Sequence, residues 1–223
     1  MDQGEDDVVV LTGGDPVSPD LVADLPPRAY VIAADSGLDQ AAILGLDVDL
    51  AVGDFDSLAP ATLEAAMAAG CRVERHPAAK DHTDLELGLR AALEHGCRRV
   101  VVVGGYGGRL DHFLANVLVL ASADFAGVVV EARVGTARLS VVRARTELRR
   151  NAGALVSLLA LGGVARGVRT VGLRYPLRDE DLAPGSTRGV SNELTGEVAS
   201  VAVAGGTVLA VQPGPTRVRR RTT

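Results

Sequence analysis

Residues 83–104 read TDLELGLRAALEHGCRRVVVVG, and this stretch decides the fold. Thr83-Asp84-Leu85-Glu86 has the S/T-x-x-E pattern of a helix N-cap, in which a side-chain oxygen accepts from a backbone N–H that the first turn leaves without a partner. Leu85, Leu89 and Leu93 recur at i, i+4 and i+8 along one face. Gly96 stands where a helix ends, because glycine tolerates the left-handed conformation of a C-cap. Arg99–Val103 follows as a continuous β-branched run, the pattern of a strand covered on both faces. A capped helix feeding directly into such a strand is the repeating unit of a parallel α/β sheet.

Working outward, the same alternation predicts strands over 8–12, 29–34, 50–52, 72–75, 99–103 and 128–132, with helices near 38–44, 60–69, 84–95 and 111–121. The last helix is apolar almost all round and is expected to lie buried between layers. From about Gly135 the helical period stops. Short β-like runs at 139–142, 154–161, 164–171, 199–204 and 207–211 alternate with glycine turns such as Gly162-Gly163 and Gly205-Gly206, which predicts an antiparallel sandwich or barrel. Residues 175–189, with two prolines and the charged run Arg178 to Asp181, are expected to form a long loop. The fold class that follows is an α/β N-terminal domain, 1–135, with a mainly parallel sheet and helices on both faces. A smaller all-β sandwich domain, 136–223, comes after it.

Composition narrows the function classes. The chain has 223 residues, 47% hydrophobic and 23% charged, ample for packed cores and unlike a disordered chain. No apolar run approaches the roughly 20 residues of a membrane span, and the acidic start Met1 to Asp7 lacks the pattern of a secretory leader, so a cytoplasmic protein without a membrane partner is expected. Residues 1–136 carry 22 acids against 9 bases, and residues 137–223 carry 6 acids against 14 bases. The basic half has scattered arginines and few aromatics for base stacking, which argues against nucleic acid. Two cysteines and four histidines fit neither a disulfide framework nor a zinc pattern. Of the 23 basic residues all but Lys80 are arginine, so that lysine stands where arginine does not.

In an open parallel sheet, ligands bind beyond the carboxyl ends of the strands. Those ends carry Asp35-Ser36-Gly37, Gly53-Asp54-Phe55-Asp56-Ser57, Lys80-Asp81-His82-Thr83-Asp84 and Gly104-Gly105-Tyr106-Gly107-Gly108-Arg109-Leu110-Asp111. In an extended segment Asp54 and Asp56 project to one side. With Asp84 they form a carboxylate set that repels itself unless a cation joins it, and hard oxygen donors suit Mg²⁺ shared with substrate phosphates. Lys80 precedes a helix N-terminus, where free N–H groups and a point positive charge favour phosphate. The glycine-rich loop matches neither the dinucleotide fingerprint nor the P-loop, but it delivers a cation, Arg109, beside an acceptor, Asp111.

In this order, and with Gly185-Ser186-Thr187-Arg188-Gly189-Val190-Ser191-Asn192-Glu193 in the second half, these segments resemble the thiamine pyrophosphokinase family. The pairing of G-D-x-D-S with D-x-T-D-x-E carries most of the specificity. The resemblance implies transfer of a pyrophosphoryl group from ATP to the thiamine hydroxyl with release of AMP, in a homodimer whose active sites lie between subunits. It implies that Asp54, Asp56 and Asp84 hold Mg²⁺, and that Asp35, Gly37, Lys80, Thr83 and Arg109 line the site of the co-substrate ATP. Asp111, Ser191 and Asn192 would face thiamine. Asp54, Asp84, Lys80 and Arg109 would carry the chemistry, with Asp54 or Asp84 taking the hydroxyl proton. Ser36 stands where the family usually has a second glycine, and the absence of tryptophan leaves the thiamine stacking surface unassigned. The strand-end carboxylates alone also fit a diphosphotransferase for another alcohol such as a pterin or nucleoside, or a nucleotide or thiamine sensor.

Overall fold

The computed structural model describes residues 6–77 and 82–214. Contacts divide the chain into two compact units, Met1–Gly135 and Thr136–Thr223.

In the first unit the strands are β1 (Asp7–Thr12), β2 (Tyr30–Ala34), β3 (Leu50–Gly53), β4 (Arg72–Arg75), β5 (Arg99–Val103) and β6 (Val129–Val134). The helices are α1 (Pro19–Val22), α2 (Gly37–Leu44), α3 (Pro60–Ala68), α4 (Asp84–His95) and α5 (Leu110–Leu120). The strands run in the order β4-β3-β2-β1-β5-β6, and every pair is parallel. Both faces are covered, as the alternation of side chains along a strand requires. Val9, Leu11, Val31, Val101 and Val103 pack with Leu21 of α1 and Ala41 of α2. Val10 and Ala34 point the other way, toward α4, where Gly88 permits the approach: a Cβ there would lie 2.8 Å from a Val10 methyl.

The helix that anchored the sequence reading forms at its expected bounds. Thr83 Oγ1 accepts from the Glu86 N–H at 3.3 Å, an N-cap worth about 1 kcal/mol, and Gly96 adopts φ 89° at the C-cap. The Glu86 carboxylate serves Arg90 and His82. Helix α5 corrects an expectation. Among its residues only Leu120 is buried, while Leu110, Leu114 and Leu118, one turn apart, are 68%, 54% and 61% exposed. An apolar sequence shows that a helix wants cover but does not say what supplies it.

The second unit is antiparallel throughout. Strands β7 (Ala137–Val142), β8 (Arg145–Arg149), β9 (Leu155–Val171), β12 (Val198–Ala202) and β13 (Gly205–Gln212) run in the order β7-β13-β9-β12-β8. Two further strands, β10 (Arg178–Leu182) and β11 (Asn192–Glu193), pair with β9. The sequence suggested a turn at Gly162-Gly163, whereas β9 runs through it. Gly162 at φ 72° lies in an irregular stretch between the Leu161 and Arg166 pairings with β13, beyond which β9 pairs with β10 and β12. Residues 178–182 are likewise strand rather than loop. Leu177 and Leu182 are buried, and the charges between them are tied by Arg169–Asp179 and Arg188–Glu180 ion pairs.

Candidate active site

The strand order reverses between β1 and β5, and at that switch point a cleft of about 350 Å³ opens beyond the carboxyl ends of the strands. Asp35, Thr83, Asp84 and Arg109 line it, together with Thr12, Gly13 and Asn116. The sequence reading passed over the end of β1. Its Thr12-Gly13-Gly14 carries the same glycine signal as the loop after β5, and the two loops are bonded: the Gly105 N–H donates to Gly13 O at 2.8 Å and the Asp15 N–H to Tyr106 O at 2.6 Å. Gln40, buried on α2, secures the first loop by donating to Gly14 O at 3.0 Å. Asn116 is a polar interruption of an apolar helix, and it donates to Gly105 O at 3.3 Å. Gly37 is needed for space, because a Cβ on it would run into the Leu11 carbonyl.

Next to this cleft Asp35, Asp54 and Asp56 each place a carboxylate oxygen within 4.8 Å of the other two. The sequence grouped Asp54 and Asp56 with Asp84, and the structure also brings Asp35 to them. Asp84 lines the cleft from the first turn of α4, and its charge acts on Asp56 as one of the lesser repulsions. The 54–56 segment is a tight turn rather than extended. Phe55 sits at φ 60° with its ring buried, and the Asp56 N–H donates to Asp54 Oδ1 at 3.2 Å. Asp35 also adopts a left-handed backbone, φ 47°. Non-glycine residues held there cost of order 1 kcal/mol or more, which the surrounding structure must outweigh.

Within the cluster the carboxylates repel one another. Asp54 beside Asp56 pushes the Asp56 carboxyl above the usual carboxylate value. Asp35 is 8% exposed, and its Oδ1 has no hydrogen-bond partner among the described residues. A buried acceptor left so costs about 1–3 kcal/mol, and a divalent cation with oxygen preference is the group that would satisfy it. Arg109 and Asp111, both about two-thirds exposed, form a bidentate pair, Nη2 to Oδ2 at 2.6 Å and Nε to Oδ1 at 3.2 Å. This pair holds the Asp111 carboxyl down to about 2. Lys80 lies outside the described residues.

In the second unit Asn192 is 2% exposed and its amide makes three hydrogen bonds. Oδ1 accepts from the N–H groups of Tyr175 and Glu193, and Nδ2 donates to Tyr175 O at 2.7 Å. It holds both the N–H and the carbonyl of Tyr175, a residue 52% exposed whose ring has the Arg174 guanidinium over it at 5.7 Å. Ser191, at φ 57°, has its N–H bonded to Ser157 Oγ.

A family model described as the thiamin pyrophosphokinase catalytic domain matches residues 25–131, and one described as the thiamin pyrophosphokinase vitamin B1 binding domain matches 144–208. Together they span well over half of the chain. The chain belongs to the thiamine pyrophosphokinase family. It is thereby placed among transferase enzymes that pyrophosphorylate thiamine with ATP as co-substrate. The thiamine pyrophosphokinase of Bacillus subtilis is 27% identical over 195 residues, covering 83% of this chain and 88% of the relative. The crystal structure of a Bacillus subtilis thiamine pyrophosphokinase superposes with a TM-score of 0.81 at 24% identity, over 94% of this chain and 99% of that one. That of Geobacillus thermodenitrificans gives 0.79 at 25%, over 95% and 99%. The catalytic-domain match begins beyond β1, so the Thr12-Gly13-Gly14 wall of the cleft lies outside it.

Proposed function

We propose that the cleft at the β1/β5 switch point binds Mg²⁺-ATP and that the chain transfers its terminal pyrophosphoryl group to the hydroxyl of thiamine. The observation that carries this reading is the Asp35, Asp54 and Asp56 trio, with Asp35 Oδ1 buried and without a hydrogen-bond partner among the described residues, Asp35 lining one cleft with Thr83 and Asp84 at the start of α4. Asp35, Asp54 and Asp56, with Asp84 close by, hold Mg²⁺, which when bound neutralises charge on the phosphate oxygens. Backbone N–H groups at the start of α4 favour phosphate, and Lys80, just ahead of that helix in sequence, adds a compact positive charge. Arg109 at the cleft wall turns from Asp111 to the phosphates. Phosphoryl-type transfer needs mainly alignment and charge stabilisation: the thiamine hydroxyl oxygen bonds to the β-phosphorus as its proton passes to Asp54 or Asp84, the bond from that phosphorus to the α-phosphate oxygen breaks, and AMP leaves with that oxygen.

On the acceptor side Asp111 offers a carboxylate to the cationic substrate. Asn192 acts through Tyr175, whose ring face opposite Arg174 supplies the stacking surface that the sequence left unassigned. We place the exposed Leu110, Leu114 and Leu118 stripe of α5 in the contact of a homodimer, with the acidic first unit and basic second unit complementary across it. A cytoplasmic setting belongs to the same reading. Incubation with Mg²⁺, ATP and thiamine, followed by separation of nucleotides, is the test. AMP and thiamine diphosphate should appear one for one. ADP with thiamine monophosphate would contradict the reading, and tight binding with no product would favour a sensor.

A further inference from the structure

Ser57 follows the Asp54-Phe55-Asp56 turn, and nothing above gives it a task. Its hydroxyl donates to Asp35 Oδ2 at 2.6 Å, a length typical of a hydrogen bond to a charged acceptor. The rest of Asp35 is already fixed. Its N–H donates to Val52 O at 2.8 Å, and Gly53, at φ 149°, packs so close that a Cβ there would stand 3.2 Å from Asp35 N, Cα and Cβ. What remains soft is rotation of the carboxylate about its terminal torsion, which is broad for aspartate. The Ser57 bond sets that rotation and with it the direction in which the buried, unpartnered Oδ1 is presented. Asp54 is held in a comparable way, through the Asp56 N–H on its Oδ1. The loop 54–57 therefore both supplies carboxylates and orients them.

We propose that Ser57 is a positioning residue: its hydroxyl fixes the Asp35 carboxylate for a divalent cation shared with Asp54 and Asp56, without itself touching cation or substrate. This rests on the reading of the cluster as the Mg²⁺ site. Outer-shell partners of metal ligands commonly contribute 10–100-fold to metal affinity. Ser57 is itself solvent-exposed, so truncating it leaves the packing of the core untouched.

The experiment is a titration of the full-length protein with Mn²⁺ in the presence of α,β-methylene ATP, followed by electron paramagnetic resonance, for wild type, Ser57→Ala, Ser57→Cys and Ser57→Thr. Ser57→Ala should weaken Mn²⁺ binding on the order of 10-fold or more, and the Mg²⁺ concentration for half-maximal turnover should rise by a similar factor while kcat moves less. Ser57→Thr, which restores the hydroxyl, should return both toward wild type. Ser57→Cys, a near-isosteric weak donor, should behave like the alanine variant and keeps the test open should that variant fold poorly. A purely structural hydroxyl would lower the melting temperature in chelator and leave Mn²⁺ affinity alone. Wild-type Mn²⁺ affinity in Ser57→Ala or Ser57→Cys overturns the positioning role. Absence of Mn²⁺ binding in the wild type overturns the underlying reading, and the proposal with it.

Discussion

Two regions of this chain hold non-glycine residues in left-handed backbone next to buried polar side chains, and they end in opposite states. Around Asp35 and Phe55 the strain surrounds three mutually repelling carboxylates and a buried oxygen without a hydrogen-bond partner among the described residues. Around Ser191 the neighbouring Asn192 amide makes three hydrogen bonds within its own unit. Polar atoms that are fully answered fix a backbone, and those left unanswered in a cleft mark where a ligand belongs. In the proposed reading the first region is the site, and the Asn192 region is the frame on which a neighbouring side chain, Tyr175, is displayed.

The comparison breaks most sharply at Asp54. Asp54→Asn should fold yet lose Mg²⁺-dependent turnover by on the order of 100-fold or more, because it removes charge from the group that stabilises the transition state. Unchanged turnover would remove the cluster from the chemistry. Asn192→Ala should do the converse. It strips partners from two backbone donors and one acceptor, so chemical denaturation should show a loss of about 2–4 kcal/mol, with Mn²⁺ affinity of the first unit's cluster unchanged. A variant as stable as wild type would mean that the amide faces a ligand after all. Lys80→Arg keeps the charge and is expected to fold normally but to lose most turnover, since a planar guanidinium does not replace a compact ammonium against phosphate. Full kcat in that variant would make the lysine incidental.

The smallest effect concerns stability and pH. The Asp56 carboxyl is pushed above its ordinary value by Asp54, so its ionised form is disfavoured in the fold, and the metal-free protein loses stability as pH rises through that raised value. Asp56→Asn removes this penalty. In chelator at neutral pH its melting temperature should therefore be no lower than that of wild type. The difference should vanish below the ordinary carboxylate range, where Asp56 is protonated in both states, and Mg²⁺ should stabilise wild type but not the variant. A clear loss of stability in chelator at neutral pH would show that Asp56 is structural.

Much of this was legible in residue order. The α4 bounds followed from Thr83 and Gly96, and the strand ends named Asp35, Asp54, Asp56 and Arg109 because a parallel sheet confines ligands there. What escaped has physical causes. The turn at Phe55 puts an aromatic residue in a conformation that no propensity favours, so the contact between Asp54 and Asp56 arises by a route the alternating pattern does not encode. Asp35 joins Asp54 and Asp56 through the close packing of Gly53, a tertiary fact. The β10 strand hides in a charged run because its outer side chains are tied in surface ion pairs with Arg169 and Arg188. Helix α5 looks like a core helix because leucine patterning is the same whether another layer or another molecule covers it.

The central claim, that a cation answers Asp35 Oδ1, which has no hydrogen-bond partner among the described residues, is most directly tested in crystals grown with Mn²⁺ and α,β-methylene ATP. An anomalous peak should stand at bonding distance from carboxylate oxygens of Asp35, Asp54 and Asp56, with the nucleotide's phosphates completing its coordination. A peak held by other residues, with Asp35 Oδ1 still without a partner, would contradict the account.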